Sequence, residues 1–236
     1  WRIRIIDQNP DHYYQPGFLF IPFGIYSEKD VIKPKRRFVP RGVEYIEAAI
    51  SRIDADSNQV WLAEGTSAAY HILIIATGVS PAPDQVEGML NSSWQKDVHD
   101  FYTFEGAVAL RERLRGWKGG RLVIHICEMP IKCPVAALEF AFLADSCLTE
   151  RGLREKTTIV YVTPLSGAFT KPIASGILGH LLEEKRISEV HDFNIANIDG
   201  SRHGIVSRDD KEVPYEACSI YLVPRKCRRP HVTTKT

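Results

Sequence analysis

The chain has 236 residues, 44% apolar and 25% charged, with 30 basic against 29 acidic side chains. That balance excludes an intrinsically disordered chain and gives no basic surface for a nucleic acid, so no nucleic-acid partner is expected. Five cysteines without paired spacing indicate neither a disulfide scaffold nor a zinc site, and the eight histidines lack ligand spacing, so no metal is assigned. No apolar run approaches the roughly 20 residues of a membrane-spanning helix, and residues 1–6 are too short and alternating for a signal peptide. The composition is that of a soluble α/β protein from a reducing compartment.

In chain order, residues 2–6 read as a buried strand ending at Asp7. Residues 13–24 are aromatic yet broken by Pro16, Gly17, Pro22 and Gly24. They form a loop whose rings pack either on a flat cofactor or in an ordinary core. The basic run at 33–37 reads as a solvated loop. Strands follow at 43–49 and 59–63, with a turn at 54–58, and then a continuous apolar run at 72–76 of the fully buried type, closed by Thr77-Gly78. Residues 79–99 read as a connector. A helix over 103–115 is capped by Asp100 or Thr103 and stopped by Gly116. A buried strand (121–126), an almost wholly apolar helix (134–150), a strand (158–162), a helix (173–185) and late strands at 190–198, 204–207 and 219–223 complete the pattern. This β–α–β–α–β order follows the logic of a nucleotide-binding half, which places domains at 1–78 and 100–222, a connector at 79–99 and an atypical basic tail at 223–236.

Two places carry chemistry. Asp7, followed by Asn9-Pro10, sits where an acid at a strand tip accepts hydrogen bonds from ribose hydroxyls, and Thr77-Gly78 closes a buried strand where backbone approaches a ligand. The second is the stretch Cys127-Glu128-Met129-Pro130-Ile131-Lys132-Cys133-Pro134. A nicotinamide-binding domain needs a glycine-rich turn here, and an acid after the next strand. There is no glycine in the stretch, and Thr163-Pro164 follows 158–162. Proline favours the first helical position, which predicts Cys133 at the N-cap, where the helix dipole and Lys132 favour a thiolate. Cys127 and Cys147 read as core; Cys218 and Cys227 fall in or near the tail.

Asp7-Gln8-Asn9-Pro10, Tyr14-Gln15-Pro16-Gly17, Ala76-Thr77-Gly78 and Lys132-Cys133-Pro134 together resemble the sulfide:quinone oxidoreductase family, over about residues 1–221. The resemblance implies an α/β fold of two Rossmann-like dinucleotide-binding domains (the FAD/NAD(P)-binding fold), incomplete at both ends, with FAD as cofactor. It implies Cys133 as the redox cysteine, Asp7, Asn9, Thr77 and Gly78 as FAD-binding residues, and sulfide and quinone as substrates. It also implies a cytoplasmic or peripheral membrane location, and a homo-oligomer is one expected arrangement. In the family, a glycine-rich strand–turn precedes the equivalent of residue 1. A second redox cysteine, quinone pocket and membrane-docking segment follow the equivalent of Tyr221. A truncated or frame-shifted gene would account for both ends, and a chain so cut is expected to bind FAD weakly and not to turn over. A further family cysteine is replaced in the stretch His99-Asp100-Phe101-Tyr102. The competing readings are a type II NADH dehydrogenase, a sulfide dehydrogenase flavin subunit, or a degenerate dinucleotide fold serving as a binding module.

Overall fold

The computed structural model describes residues 1–91, 93–221, 226–227 and 231–233; at 218–221, 226–227 and 231–233 only the backbone is described. The chain forms two compact units, one of Trp1–Tyr14, Lys29–Ser80 and Lys226–Thr236, the other of Gln15–Glu28 and Pro81–Arg225.

The first unit runs through β1 (Arg4–Asp7), β2 (Asp11–Tyr13), the end of a single turn α1 (Glu28–Val31), β3 (Ile32–Pro34), β4 (Glu44–Glu47), β5 (Ile50–Asp54), β6 (Gln59–Leu62), β7 (Ser67–Ala69) and β8 (Val79–Ser80). β1 pairs in parallel with β4, Asp7 opposite Glu47, and Arg2 and Arg4 both reach Glu44 Oε2, at 2.8 and 2.7 Å. β5, β6 and β7 form an antiparallel meander. Its first turn closes because Asp54 Oδ1 accepts the N–H groups of Asp56 and Ser57 and Asn58 takes a left-handed φ of 53°. Alternation in β6 buries Val60 and Leu62, which join Ile53 in a small core packed by Ile6, Ile46 and Leu73.

The run at 72–76 departs from expectation. It is not a strand, and Ile72, Ile74 and Ile75 are exposed, Ile74 by 83%. A buried parallel strand needs a hydrogen-bonded neighbour on the sheet to cover its faces. Among the described residues none pairs with this segment, so only Leu73 turns inward.

The second unit contains β9 (Val98–His99), α2 (Phe104–Arg115), β10 (Gly120–Ile126), α3 (Ala136–Glu150), β11 (Thr157–Val162), α4 (Pro172–Glu184), β12 (Ile187–Val190), β13 (Ile195–Asp199), β14 (Gly204–Ser207), β15 (Glu212–Pro214) and β16 (Ala217–Tyr221). Its sheet is wholly parallel in the order β12-β11-β10-β16-β9, and β13, β14 and β15 form a separate antiparallel sheet. The sheet is doubly wound: it grows from β10 towards β12 on one side and through β16 on the other. The predicted strand at 190–198 is therefore two strands. Asp192 breaks it with a left-handed φ of 53°, and the N–H groups of Asp192 and Phe193 bond to Leu165 and Thr163, which turns the chain and buries Phe193 completely.

α2 starts as its sequence requires. Thr103 is the N-cap and its hydroxyl accepts the Gly106 N–H at 3.0 Å, while the buried Asp100 accepts from the backbone of Tyr102 and Thr103. Only glycine fits at 106, since a Cβ there would lie 2.4 Å from Asp100 Oδ2. α3 presents Leu138, Phe140, Ala141, Ala144 and Leu148 to the core. Part of the aromatic loop packs into the core: Phe18, within a 3-10 turn at Gln15–Phe20, packs on Phe104, and Phe23 packs on Phe140, with ring centroids 6.0 and 4.9 Å apart.

Two short strands close the chain, β17 (Lys226–Cys227), antiparallel to β8, and β18 (His231–Thr233), parallel to β5. The rest of the expected tail, 223–225, 228–230 and 234–236, lies outside the described residues. No helix among the described residues is long and apolar enough to cross a membrane.

Candidate active site

The stretch from Cys127 to Val135 joins β10 to α3 at the carboxyl end of the parallel sheet. This is where doubly wound folds bind ligands. Cys127 and Ile131 are buried and anchor it, the Met129–Pro130 peptide is cis, and Lys132 and Cys133 are exposed. Burial pushes the Cys127 thiol far above its ordinary range, so it stays protonated. Cys127, Cys133 and Cys147 are thiols rather than half-cystines.

Cys133 is not the N-cap. α3 begins at Ala136, Val135 takes the cap position in helical conformation, and no side chain caps the helix. Cys133 instead stands one turn earlier with a left-handed φ of 57°, its carbonyl accepting the Ala136 N–H at 3.2 Å. Pro134 therefore opens a turn rather than the helix, and the dipole argument for a thiolate loses its geometry. A left-handed backbone costs a residue with a Cβ about 1–2 kcal/mol, strain of the kind that collects at functional sites. Two contacts hold the residue before it. The Tyr102 hydroxyl donates to the Lys132 carbonyl, and Lys132 Nζ donates to Gln15 Oε1 at 2.5 Å. Local pattern could not have found these partners, because they lie 30 and 117 residues away in sequence.

On the same loop, Cys127, Glu128 and Met129 face a cavity of about 470 Å³ closed by Pro164, Asn194 and Arg208. The features that hold a nicotinamide dinucleotide are missing. The loop has no glycine, and after β11 the buried Thr163 is bonded into the fold by Val190 and Leu165, with no acid beside it.

The remaining predicted residues lie in the first unit. Asp7 ends β1; its Oδ1 accepts the Asn9 N–H at 2.9 Å and its Oδ2 accepts from Lys35 Nζ at 2.6 Å. The basic run is thus partly an ion-pair partner of Asp7 rather than a solvated loop. Asn9 in turn accepts the Asp11 N–H, and its carbonyl accepts the Tyr45 hydroxyl. Thr77 and Gly78 precede β8, Gly78 with a left-handed φ of 69°. Asp7 and Asn9 are brought together.

Two histidines of the second unit are buried without charge. His125, on β10, contacts the Val162 carbonyl at 3.3 Å and His99 the Lys96 carbonyl at 2.8 Å; burial lowers each to about 4. In the unfolded chain both titrate near 6.5. The unfolded state therefore binds more protons between these values, and stability rises with pH from about 4 to 6.5. Acidification from pH 7 to 4 is expected to cost about 3 kcal/mol per histidine, and His125→Phe is expected to flatten that slope in denaturant titrations.

The doubly wound second unit, with a cysteine loop in place of the glycine-rich turn, and the β1/β4 pair ending in Asp7 have the fold of the FAD/NAD(P)-dependent oxidoreductases. No family model matches the chain. It is 24% identical over 226 residues to the mitochondrial sulfide:quinone oxidoreductase of Dictyostelium discoideum, covering 94% of this chain and 50% of that protein. It is 27% identical over 172 residues to the sulfide-quinone reductase of Aquifex aeolicus, covering 71% and 39%. The solved sulfide:quinone oxidoreductase of Aquifex aeolicus matches with a TM-score of 0.79 at 22% identity, covering 94% of this chain and 52% of that one. The chain is similar to these sulfide:quinone oxidoreductases and spans about half the length, or less, of the curated relatives it matches.

Proposed function

We propose that this chain carries the sulfur-accepting half-site of an FAD-dependent sulfide oxidoreductase, with Cys133 as the redox cysteine and a quinone as final electron acceptor. The observation that carries the reading is Cys133 itself: exposed, in a strained left-handed conformation, and held from behind by Tyr102 and Gln15 through Lys132. It is the exposed thiol of the loop, whereas Cys127 is buried.

The net step balances on this thiol. Cys133–SH and H₂S become Cys133–S–SH as one S–S bond forms and two S–H bonds break, releasing two protons and two electrons. Bound near Asp7, FAD would supply the two-electron acceptor this step requires, with a quinone as the final acceptor. Asp7 fits a ribose partner, since each carboxylate oxygen has spare acceptor capacity beyond its bond to Asn9 or Lys35. Asn9 keeps the Asp7 carboxylate oriented, and Thr77 and Gly78 offer backbone for close approach to the same cofactor. The Lys132–Gln15 contact orients an ammonium on the residue next to the thiol, which favours the approach of hydrosulfide.

The test is an anaerobic absorption spectrum of the flavin-loaded protein. Sulfide is expected to bleach the flavin band and NADH is not. Bleaching by NADH would move the protein to the NADH dehydrogenase reading, and a protein purified from the full-length gene without flavin would favour the binding module.

A further inference from the structure

α4 is anomalous on two independent grounds. First, its apolar residues face solvent. Ile173, Ile177 and Leu181 are exposed by 83, 60 and 37%, while only Leu182 is buried. Their spacing of four places them in one stripe along a helix about 20 Å long. A contiguous apolar stripe in water marks an unmet contact, unlike a scattered exposed residue. Second, its end charges oppose the helix dipole. Lys171 is at the N-cap and no acid lies in the first turn; Glu183 and Glu184 lie in the last turn and no base does. Among the described residues the Lys171 ammonium makes no ion pair, and the two glutamates pair only with the exposed His180, at 3.9 and 3.2 Å.

Both anomalies are resolved by one partner. We infer that α4 docks on α4 of a second copy of this chain, antiparallel across a two-fold axis at Ile177. In such an isologous contact Ile173 meets Leu181 of the other copy, and the stripe covers itself. The same rotation brings Lys171 and the positive helix end of each copy to Glu183 and Glu184 of the other. A lipid surface would cover the stripe equally well, but the two glutamates at its end are repelled by anionic headgroups. The stripe is short, so the dimer is a weak one, below the size of standard stable interfaces.

The test is light scattering of the chain over a concentration series. A monomer–dimer equilibrium is expected, and Ile177→Asp is expected to leave monomer only, with an unchanged circular dichroism spectrum because Ile177 is exposed. Ile74→Asp, in the exposed run of the other unit, is expected to leave the equilibrium intact. K171E and E184K are each expected to weaken dimerisation roughly threefold to tenfold, and the double variant is expected to restore it. That charge-swap rescue keeps the inference testable even if Ile177→Asp misfolds. A chain monomeric throughout, a dimer indifferent to Ile177→Asp, failure of the double swap to rescue, or a monomer that binds neutral phosphatidylcholine vesicles through Ile177 would each overturn it. None of these outcomes depends on flavin or sulfide, so they stand apart from the proposed activity.

Discussion

Cys133→Ser is expected to lower sulfide-dependent flavin reduction by at least about a thousandfold while leaving the protein folded and its flavin content unchanged. The serine hydroxyl fits the same exposed, left-handed position, so the loop and its contacts from Tyr102 and Gln15 persist. What is lost is the sulfur that forms the S–S bond. Cys127→Ser is the contrasting control. That thiol is buried and held protonated, so its replacement is expected to reduce stability by about 1–3 kcal/mol, by burying a hydroxyl, more than it reduces rate. Stopped-flow absorbance of both variants separates the roles, and a Cys133→Ser protein that still bleaches at the parent rate would remove Cys133 from the chemistry.

The largest stability effect is expected at Arg154. This nearly buried guanidinium donates to Asp145 Oδ1 at 2.6 Å, to the Thr157 carbonyl at 2.9 Å and to the carbonyls of Lys185 and Arg186 at 2.5 and 3.0 Å. It thereby ties α3, β11 and the end of α4 together. Burial raises the Asp145 carboxyl, but hydrogen bonds from Lys185 and Arg154 outweigh it and hold its pKa below the usual range. Removing one partner leaves a buried carboxylate half-compensated and three carbonyls unpaired, which costs more than an exposed ion pair contributes. Arg154→Met is expected to lose about 3–5 kcal/mol, or roughly 10 °C in Tm at about 2–4 °C per kcal/mol. Pairing it with Asp145→Leu is expected to recover part of the loss, because the orphaned charge is then gone. A loss under about 1 kcal/mol for the single variant would show that the cluster is decorative.

Local chemistry made part of this molecule legible in advance. Thr103 and Asp100 announced the start of α2, and the apolar runs at 121–126 and 158–162 announced β10 and β11. What failed depended on partners distant in sequence. The run at 72–76 reads as a buried strand, but burial belongs to the sheet and not to the segment, and no described neighbour pairs with it. Pro134 suggested a helix start at Cys133, yet the preceding loop is held by Tyr102 and Gln15, and the chain makes a further turn before α3 begins. The break at Asp192 depends on backbone bonds to Thr163 and Leu165, about 30 residues away, which periodicity does not register. The helix at 173–185 was expected, but only the fold showed that Ile173, Ile177 and Leu181 look outward.

The most direct measurement is peptide mass spectrometry of the flavin-loaded protein after one anaerobic exposure to sulfide, with and without a quinone. The account predicts that the Cys133 peptide gains the mass of one sulfur atom in step with flavin reduction, while the Cys127 and Cys147 peptides do not. Flavin reduced by sulfide with Cys133 unmodified, or the added sulfur on another cysteine, would contradict it.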